Sequence, residues 1–257
     1  MSCYSFEKLD PAKARPVLPN VAATYVLTML DSTRQLDKER LCRLTPHTYI
    51  QYNKGFKKCK KPGVHDTGQD IIHAYQNLAS HILSETTFEA VLILEDDAII
   101  TEDCFKYLTD VDRFIAEHAF DVYSLCSTGF MLPYNMKHRL IMGTLGSANA
   151  IIWSRTGLEK LSSVDLKQRR HVDRDIISKF DLKYTYWRPL IMQTFPLTEN
   201  SRNWSPAARA ARHGAAAFLN WHRKPQPGWN IAYMCCGPVF WLTSTCLLTQ
   251  AFRKARH

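Results

Sequence analysis

The sequence predicts an α/β protein: a mostly parallel sheet flanked by helices, followed by a basic and apolar C-terminal helical appendage. Apolar, β-branched runs alternate with segments of helical periodicity over the first two hundred residues, the pattern of strands joined by crossover helices. The 257 residues suit one such domain with a small addition and are enough to bury a core. Charge is divided unevenly. The 58 residues from Asn200 onward carry eight Lys and Arg and no Asp or Glu, which leaves 25 basic against 24 acidic residues in the first 199.

Residues 1–21, punctuated by Pro11, Pro16 and Pro19, read as an N-terminal arm. AATYVLTML (22–30) is a buried first strand, and STRQLDKERLCRL (32–44) a helix opened by a cap-type Ser. HTYIQY (47–52) is a second strand. The stretch 54–63, with five lysines and a closing Pro-Gly, is a solvated loop with the capacity to steer an anionic substrate. A helix follows over 67–85, then the strand EAVLILEDDAII (89–100), then a helix over 101–118 with Thr101 as its cap. Strands over 120–127 and 147–154 and the helix RTGLEKLSS complete the alternation, and DRDIISKF (173–180) has a helix pattern with Asp173 at its cap position.

Composition narrows the function. At 46% hydrophobic and 22% charged residues the chain is neither disordered nor fibrous. The near-neutral body offers no face-wide basic patch, so nucleic acid is not an expected partner, whereas an anionic membrane surface met by the tail is. The opening MSCYSFEKLDP lacks an apolar signal core. The eight cysteines have no CxxC or metal-ligand spacing and read as free thiols of a reducing compartment. The expected location is therefore cytoplasmic, peripheral on the cytoplasmic face of a membrane.

The sharpest chemical signal is ILEDDAII. In an extended strand Glu95 and Asp97 share one face and Asp96 takes the other. Open α/β sheets bind ligands at the carboxyl ends of their strands. Two same-side carboxylates there suit Mn²⁺ or Mg²⁺, whose remaining positions go to water and substrate phosphate. The alternative is a strand running into a helix N-terminus, where acids complement the dipole.

Several blocks, in order, resemble glycosyltransferase family 25, the lipopolysaccharide-type and collagen galactosyltransferases. They are YVLTMLDSTRQLDKERL (25–41), ASHIL (79–83), AVLILEDDAII, FDVYSLCS, GTLGSANAIIWSRTGLEKL (143–161), HVDRDII (171–177) and RPLIMQTFPLTENS (188–201). The resemblance covers 22–203 and implies a GT-A, Rossmann-like domain there. It implies a metal-dependent enzyme that moves a sugar from a nucleotide-sugar, a UDP-sugar, to a hydroxyl of a glycan or glycoconjugate acceptor with inversion.

It also implies roles. Glu95 and Asp97 would hold the metal, one of them alternatively contacting ribose or sugar. Asp173, with Asp175 as runner-up, would be the base that takes the acceptor proton. Thr28, Asp31, Arg34, His81, Glu95, Asp96, Gly143, Thr144 and Ser147 would line the donor site. Two rivals remain at this stage: a Mg²⁺-dependent nuclease or phosphodiesterase, and a membrane-bound sugar-nucleotide-binding module without turnover. In the segment 204–257, PAARAARHGAAAFLNWHRK and the uncharged, aromatic stretch after it read as a membrane-associating element, a packed appendage or a tail anchor.

Overall fold

The computed structural model describes residues 2–10, 15–126, 130–143, 148–167, 169 and 171–193. Thr144, Ser147 and the whole segment 204–257 lie outside them. In chain order the elements are β1 (Tyr4–Leu9), β2 (Ala23–Met29), α1 (Lys38–Cys42), β3 (His47–Asn53), α2 (Thr67–Glu85), β4 (Ala90–Glu95), β5 (Ala98–Ile100) and α3 (Phe105–Glu117). Then come β6 (Val122–Ser124), β7 (Phe130–Pro133), β8 (His138–Met142), β9 (Ala150–Ser154), α4 (Arg155–Ser162), β10 (Lys183–Tyr186) and β11 (Ile191–Gln193).

Among the described residues nine strands form one sheet in the order β1-β3-β2-β4-β9-β6-β10-β8-β7, while β5 and β11 pair separately. The sheet is mixed, which corrects the mostly parallel expectation. β2 runs parallel to β3 and β4, and β6 to β10; the other pairings are antiparallel. Connection length explains the difference. Parallel neighbours need a crossover of a dozen or more residues, usually helical. α1, α2 and α3 supply crossovers before β3, β4 and β6, so those strands share the direction of β2. No helix separates β6 from β9 among the described residues, and β9 runs the other way.

Alternating side chains fill a core on each face of the sheet. Val26, Leu92, Leu94 and Ile152 pack with Leu108, Val111 and Phe114 of α3. Tyr25, Leu27, Val91, Ile93, Ile151 and Trp153 pack with Ile72, Tyr75, Leu78 and Ile82 of α2 and Leu158 and Leu161 of α4. Ile93 is fully buried at the centre of this second layer, so Ile93→Ala costs about 2–5 kcal/mol. Asp66 caps α2 by accepting the Gln69 N–H at 2.9 Å, and Ser154 caps α4 by accepting the Gly157 N–H at 3.0 Å. Gly157 itself is required by space, because a Cβ there would lie 2.2 Å from the Asp121 carbonyl oxygen.

Several local expectations change. Residues 4–9, expected within an arm, are β1, which pairs with β3 in antiparallel register from Tyr4↔Asn53 to Leu9↔Thr48. The helix expected over 32–44 shrinks to α1, capped by Asp37 instead of Ser32. Thr101 makes no side-chain cap bond, and a short 3₁₀ turn, Glu102–Cys104, leads into α3. The strand expected over 89–100 breaks at Asp96-Asp97 into β4 and β5. Cys3 and Cys59 form a disulfide, which corrects the free-thiol reading at those positions. Among the described residues no helix is long and apolar enough to cross a membrane.

Candidate functional site

β2 and β4 pair in parallel with Leu27 opposite Glu95, so both strands end at the same sheet edge. There the Glu95 N–H donates to Asn149 O at 2.9 Å and the Asp96 N–H to Leu27 O at 3.1 Å. These bonds fix the turn that separates the three acids. Glu95 continues the face of Val91 and Ile93, the face covered by α2. The hydroxyl of the fully buried Tyr75 therefore reaches it, lying 3.1 Å from Glu95 Oε1 and 3.0 Å from Ala148 O. Asp97, 6% exposed, accepts from Gln193 Nε2 at 2.9 Å through Oδ2. Its Oδ1 is buried and has no hydrogen-bond partner among the described residues.

Asp96 lies in the turn between β4 and β5 and engages side chains at and beyond the end of β2. Thr28 Oγ1 donates to its Oδ2 at 2.7 Å, Ser32 Oγ at 2.9 Å, and Arg34 forms an ion pair with Oδ1. The Ser32 hydroxyl also accepts the Arg34 N–H at 3.3 Å, so residues 32–34 form a turn tied to Asp96, and the helix begins only at Lys38. Thr28, Arg34 and Asp96 are thus brought together, but with one another. Beside them a cleft of about 370 Å³ runs between the β4–β5 turn and residues 34–41, lined by Arg34, Leu36, Arg40, Glu95, Asp96 and Asp97 among others.

Electrostatics mark the acid pair. Burial, then the charge of Asp97, pushes the Glu95 carboxyl up to about 8, against the hydrogen bond from Tyr75. Burial likewise raises Asp97, opposed by the Gln193 hydrogen bond and the Arg34 charge. Asp173 acts on Glu95 and Tyr75 through its charge, so it belongs to the same neighbourhood. Its own carboxyl is raised, first by burial.

Asp173 is not a helix cap. It lies within a π-type turn, Val172–Ile176, whose cap position is His171, and its carboxylate accepts the neighbouring Arg174 N–H at 2.8 Å. Asp175 is engaged locally, accepting the His171 N–H at 3.1 Å and pairing with Arg174 at 2.9 Å.

Other expected residues stand apart. Asp31 is exposed and pairs with Lys58 at 2.6 Å, which holds its carboxyl below the usual range. His81 stacks on Phe6 of β1 with ring centroids 4.1 Å apart, and β3 and β2 separate β1 from β4. Gly143 ends β8, which runs opposite to β4. Its φ of +74° explains the glycine, since a Cβ there would meet nothing within 4 Å. Thr144 and Ser147 lie outside the described residues.

Tyr75 and Gln193 join the site without an expected role. For Tyr75 the available signal was a hydroxyl on the apolar face of α2.

Both acids of the pair offer oxygen, the donor type of hard divalent cations. Among the described residues no group of three His, Cys, Asp or Glu could hold a metal alone, so such a cation would share its ligands with water and substrate. No family model and no curated protein matches the chain. Among solved structures it is similar to the crystal structure of A197 from STIV, with 12% identity over 70% of this chain and 87% of that one, at a TM-score of 0.43.

Proposed function

We propose that this protein is a metal-dependent glycosyltransferase of GT-A type. It moves a sugar from a nucleotide-sugar, a UDP-sugar by the family 25 resemblance, to a hydroxyl of a glycan or glycoconjugate. The observation that carries this reading is Asp97: a buried carboxylate with one oxygen unpartnered, next to Glu95, at the carboxyl edge of parallel strands and beside a cleft. An unsatisfied buried acceptor costs about 1–3 kcal/mol, more when charged, and a cation is the partner that two adjacent carboxylates call for.

The residues fit Mn²⁺ or Mg²⁺. Asp97 and Glu95 would hold it, and the bound cation would supply charge neutralisation to the departing diphosphate. Asp96 keeps Arg34 at the cleft, where a guanidinium suits phosphate oxygens. Asp173 takes the proton from the acceptor hydroxyl; its burial raises its affinity for that proton. Attachment to an anionic membrane surface through 204–257 belongs to the same proposal and rests on that segment's charge.

The test is a donor-hydrolysis assay of the full chain across a panel of nucleotide-sugars, with Mn²⁺ and with a chelator. Sugar release that requires Mn²⁺ supports the reading. Equal release in both arms, or none with any donor, overturns it.

A further inference from the structure

We propose that Gln193 and Tyr75 are positioning residues that brace Asp97 and Glu95 so that the unpartnered Asp97 Oδ1 is held ready for a divalent cation. The inference rests on the metal-site reading above and concerns how the protein prepares that site. A carboxylate turns easily about its terminal torsion, so two carboxylates in a row do not by themselves present a fixed pair of oxygens.

Each acid here has one oxygen tied by a neutral donor from a different element. Gln193 Nε2 donates to Asp97 Oδ2 at 2.9 Å. It is delivered by the β5–β11 pairing, which sets Gln193 opposite Ala98, the residue after Asp97. That small sheet therefore has a task beyond packing: it carries the amide that fixes the plane of the Asp97 carboxylate. Tyr75 approaches Glu95 from α2, and its hydroxyl also lies within reach of Ala148 O, which ties the acid to the approach to β9.

Donor chemistry separates this arrangement from an ordinary buried ion pair. A Lys or Arg in either place would cancel the charge that attracts a cation. An amide and a phenol orient the oxygens and leave that charge available. Partners of this kind behind metal ligands change affinity by about 10-fold to 100-fold when removed.

The experiment measures Mn²⁺ binding to the full chain from the electron paramagnetic resonance signal of the free ion, with no nucleotide present. Wild type, Gln193→Met and Tyr75→Phe are compared, and metal-free melting curves are recorded for each. Wild type should bind Mn²⁺. Each variant should bind about 10-fold to 100-fold more weakly while keeping a cooperative metal-free transition. Unchanged Mn²⁺ affinity in the folded variants overturns the positioning role and leaves the metal site standing. No uptake by wild type overturns both. If Gln193→Met does not fold, Tyr75→Phe, which removes a single oxygen, decides by the same criterion.

Discussion

Lys61 and Asp70 form an ion pair inside the protein, with their side chains 1% and 8% exposed. Lys61 Nζ also donates to Asn53 Oδ1 and lies 4.8 Å from the ring centroid of Tyr4, while Asp70 Oδ2 accepts the Phe56 N–H at 3.1 Å. The lysine stretch after β3 is therefore anchored at one end, and only part of it matches the solvated loop expected from sequence. Lys57, Lys58 and Lys60 are the exposed members.

Removing one partner of a buried pair strands the other's charge, at a cost of about 3–5 kcal/mol. Lys61→Met should lower unfolding stability by that amount in a urea titration. Lys61→Met with Asp70→Leu should recover much of the loss. A double variant as unstable as the single one would show that the cost comes from packing and not from the unpaired carboxylate.

Asp97→Asn keeps the shape of the side chain and removes a charge that burial and Asp96 both oppose. The variant should melt at or slightly above the wild-type temperature without metal, lose Mn²⁺ binding by at least about 10-fold, and lose Mn²⁺-dependent sugar release. Calorimetry and a melting curve on one preparation check all but the last. Wild-type Mn²⁺ affinity in the variant would move the cation site elsewhere.

For Asp173→Asn the structure removes the capping alternative, because Asp173 lies inside the turn whose cap position is His171, and its carboxylate accepts the next backbone N–H. Stability should change by less than the roughly 1 kcal/mol of a lost cap. Acceptor-dependent transfer should fall about 100-fold or more, the usual contribution of a general base, with UDP binding retained. A folded variant with full transfer activity would remove Asp173 from the chemistry.

His138 supplies a pH dependence unrelated to the acids. Its Nδ1 lies 2.7 Å from the Tyr123 hydroxyl, its ring packs on Phe114, and burial pushes its pKa down to about 4. Between about pH 6.5 and 4 the unfolded chain binds a proton there that the folded chain refuses. Stability contributed by this residue is complete above pH 6.5 and is lost as pH falls toward 4, by up to about 3 kcal/mol. In urea titrations of wild type and His138→Gln at pH 7 and pH 4.5, the midpoint should fall between the two pH values in both, and by less in the variant. Parallel losses would assign the acid sensitivity to other groups.

The sheet centre and the acid pair were legible because their signals are local. Val91–Leu94 is apolar without interruption and ends abruptly in charge, and α2 follows its periodicity from Thr67 to Glu85. What was not legible depends on distant partners. YSFEKL carries no apolar run, yet becomes β1 because β3, some forty residues later, offers it an edge and Cys59 binds Cys3. Ser32 reads as a cap and its hydroxyl does accept the Arg34 N–H, but it also donates to Asp96, 64 residues away, and the helix begins only at Lys38. Gln193 acquires meaning only when β11 meets β5. The mixed direction of the sheet was hidden for a related reason: side-chain alternation is the same in either direction, so it does not say which way a strand runs.

The inverted strand β9 makes the two sides of Glu95 unequal in how much change they tolerate. On the β2 side the connection to β3 is long, and beyond Ser32 and Arg34, which hold Asp96, it can gain or lose residues with the strands already in place. At β9 the chain enters the sheet beside the acids, and its entry is fastened by the Glu95 N–H to Asn149 O, by the Tyr75 hydroxyl to Ala148 O and by Asn149 Nδ2 to Met192 O at 3.2 Å. One residue added between Ala148 and Ala150 would either break these fastenings or shift the register, and a shift would turn Trp153 out of the core layer it occupies against α2. Length variation at this edge of the sheet should therefore collect before Ala148, and spare the short stretch on which both Glu95 and the largest core side chain depend.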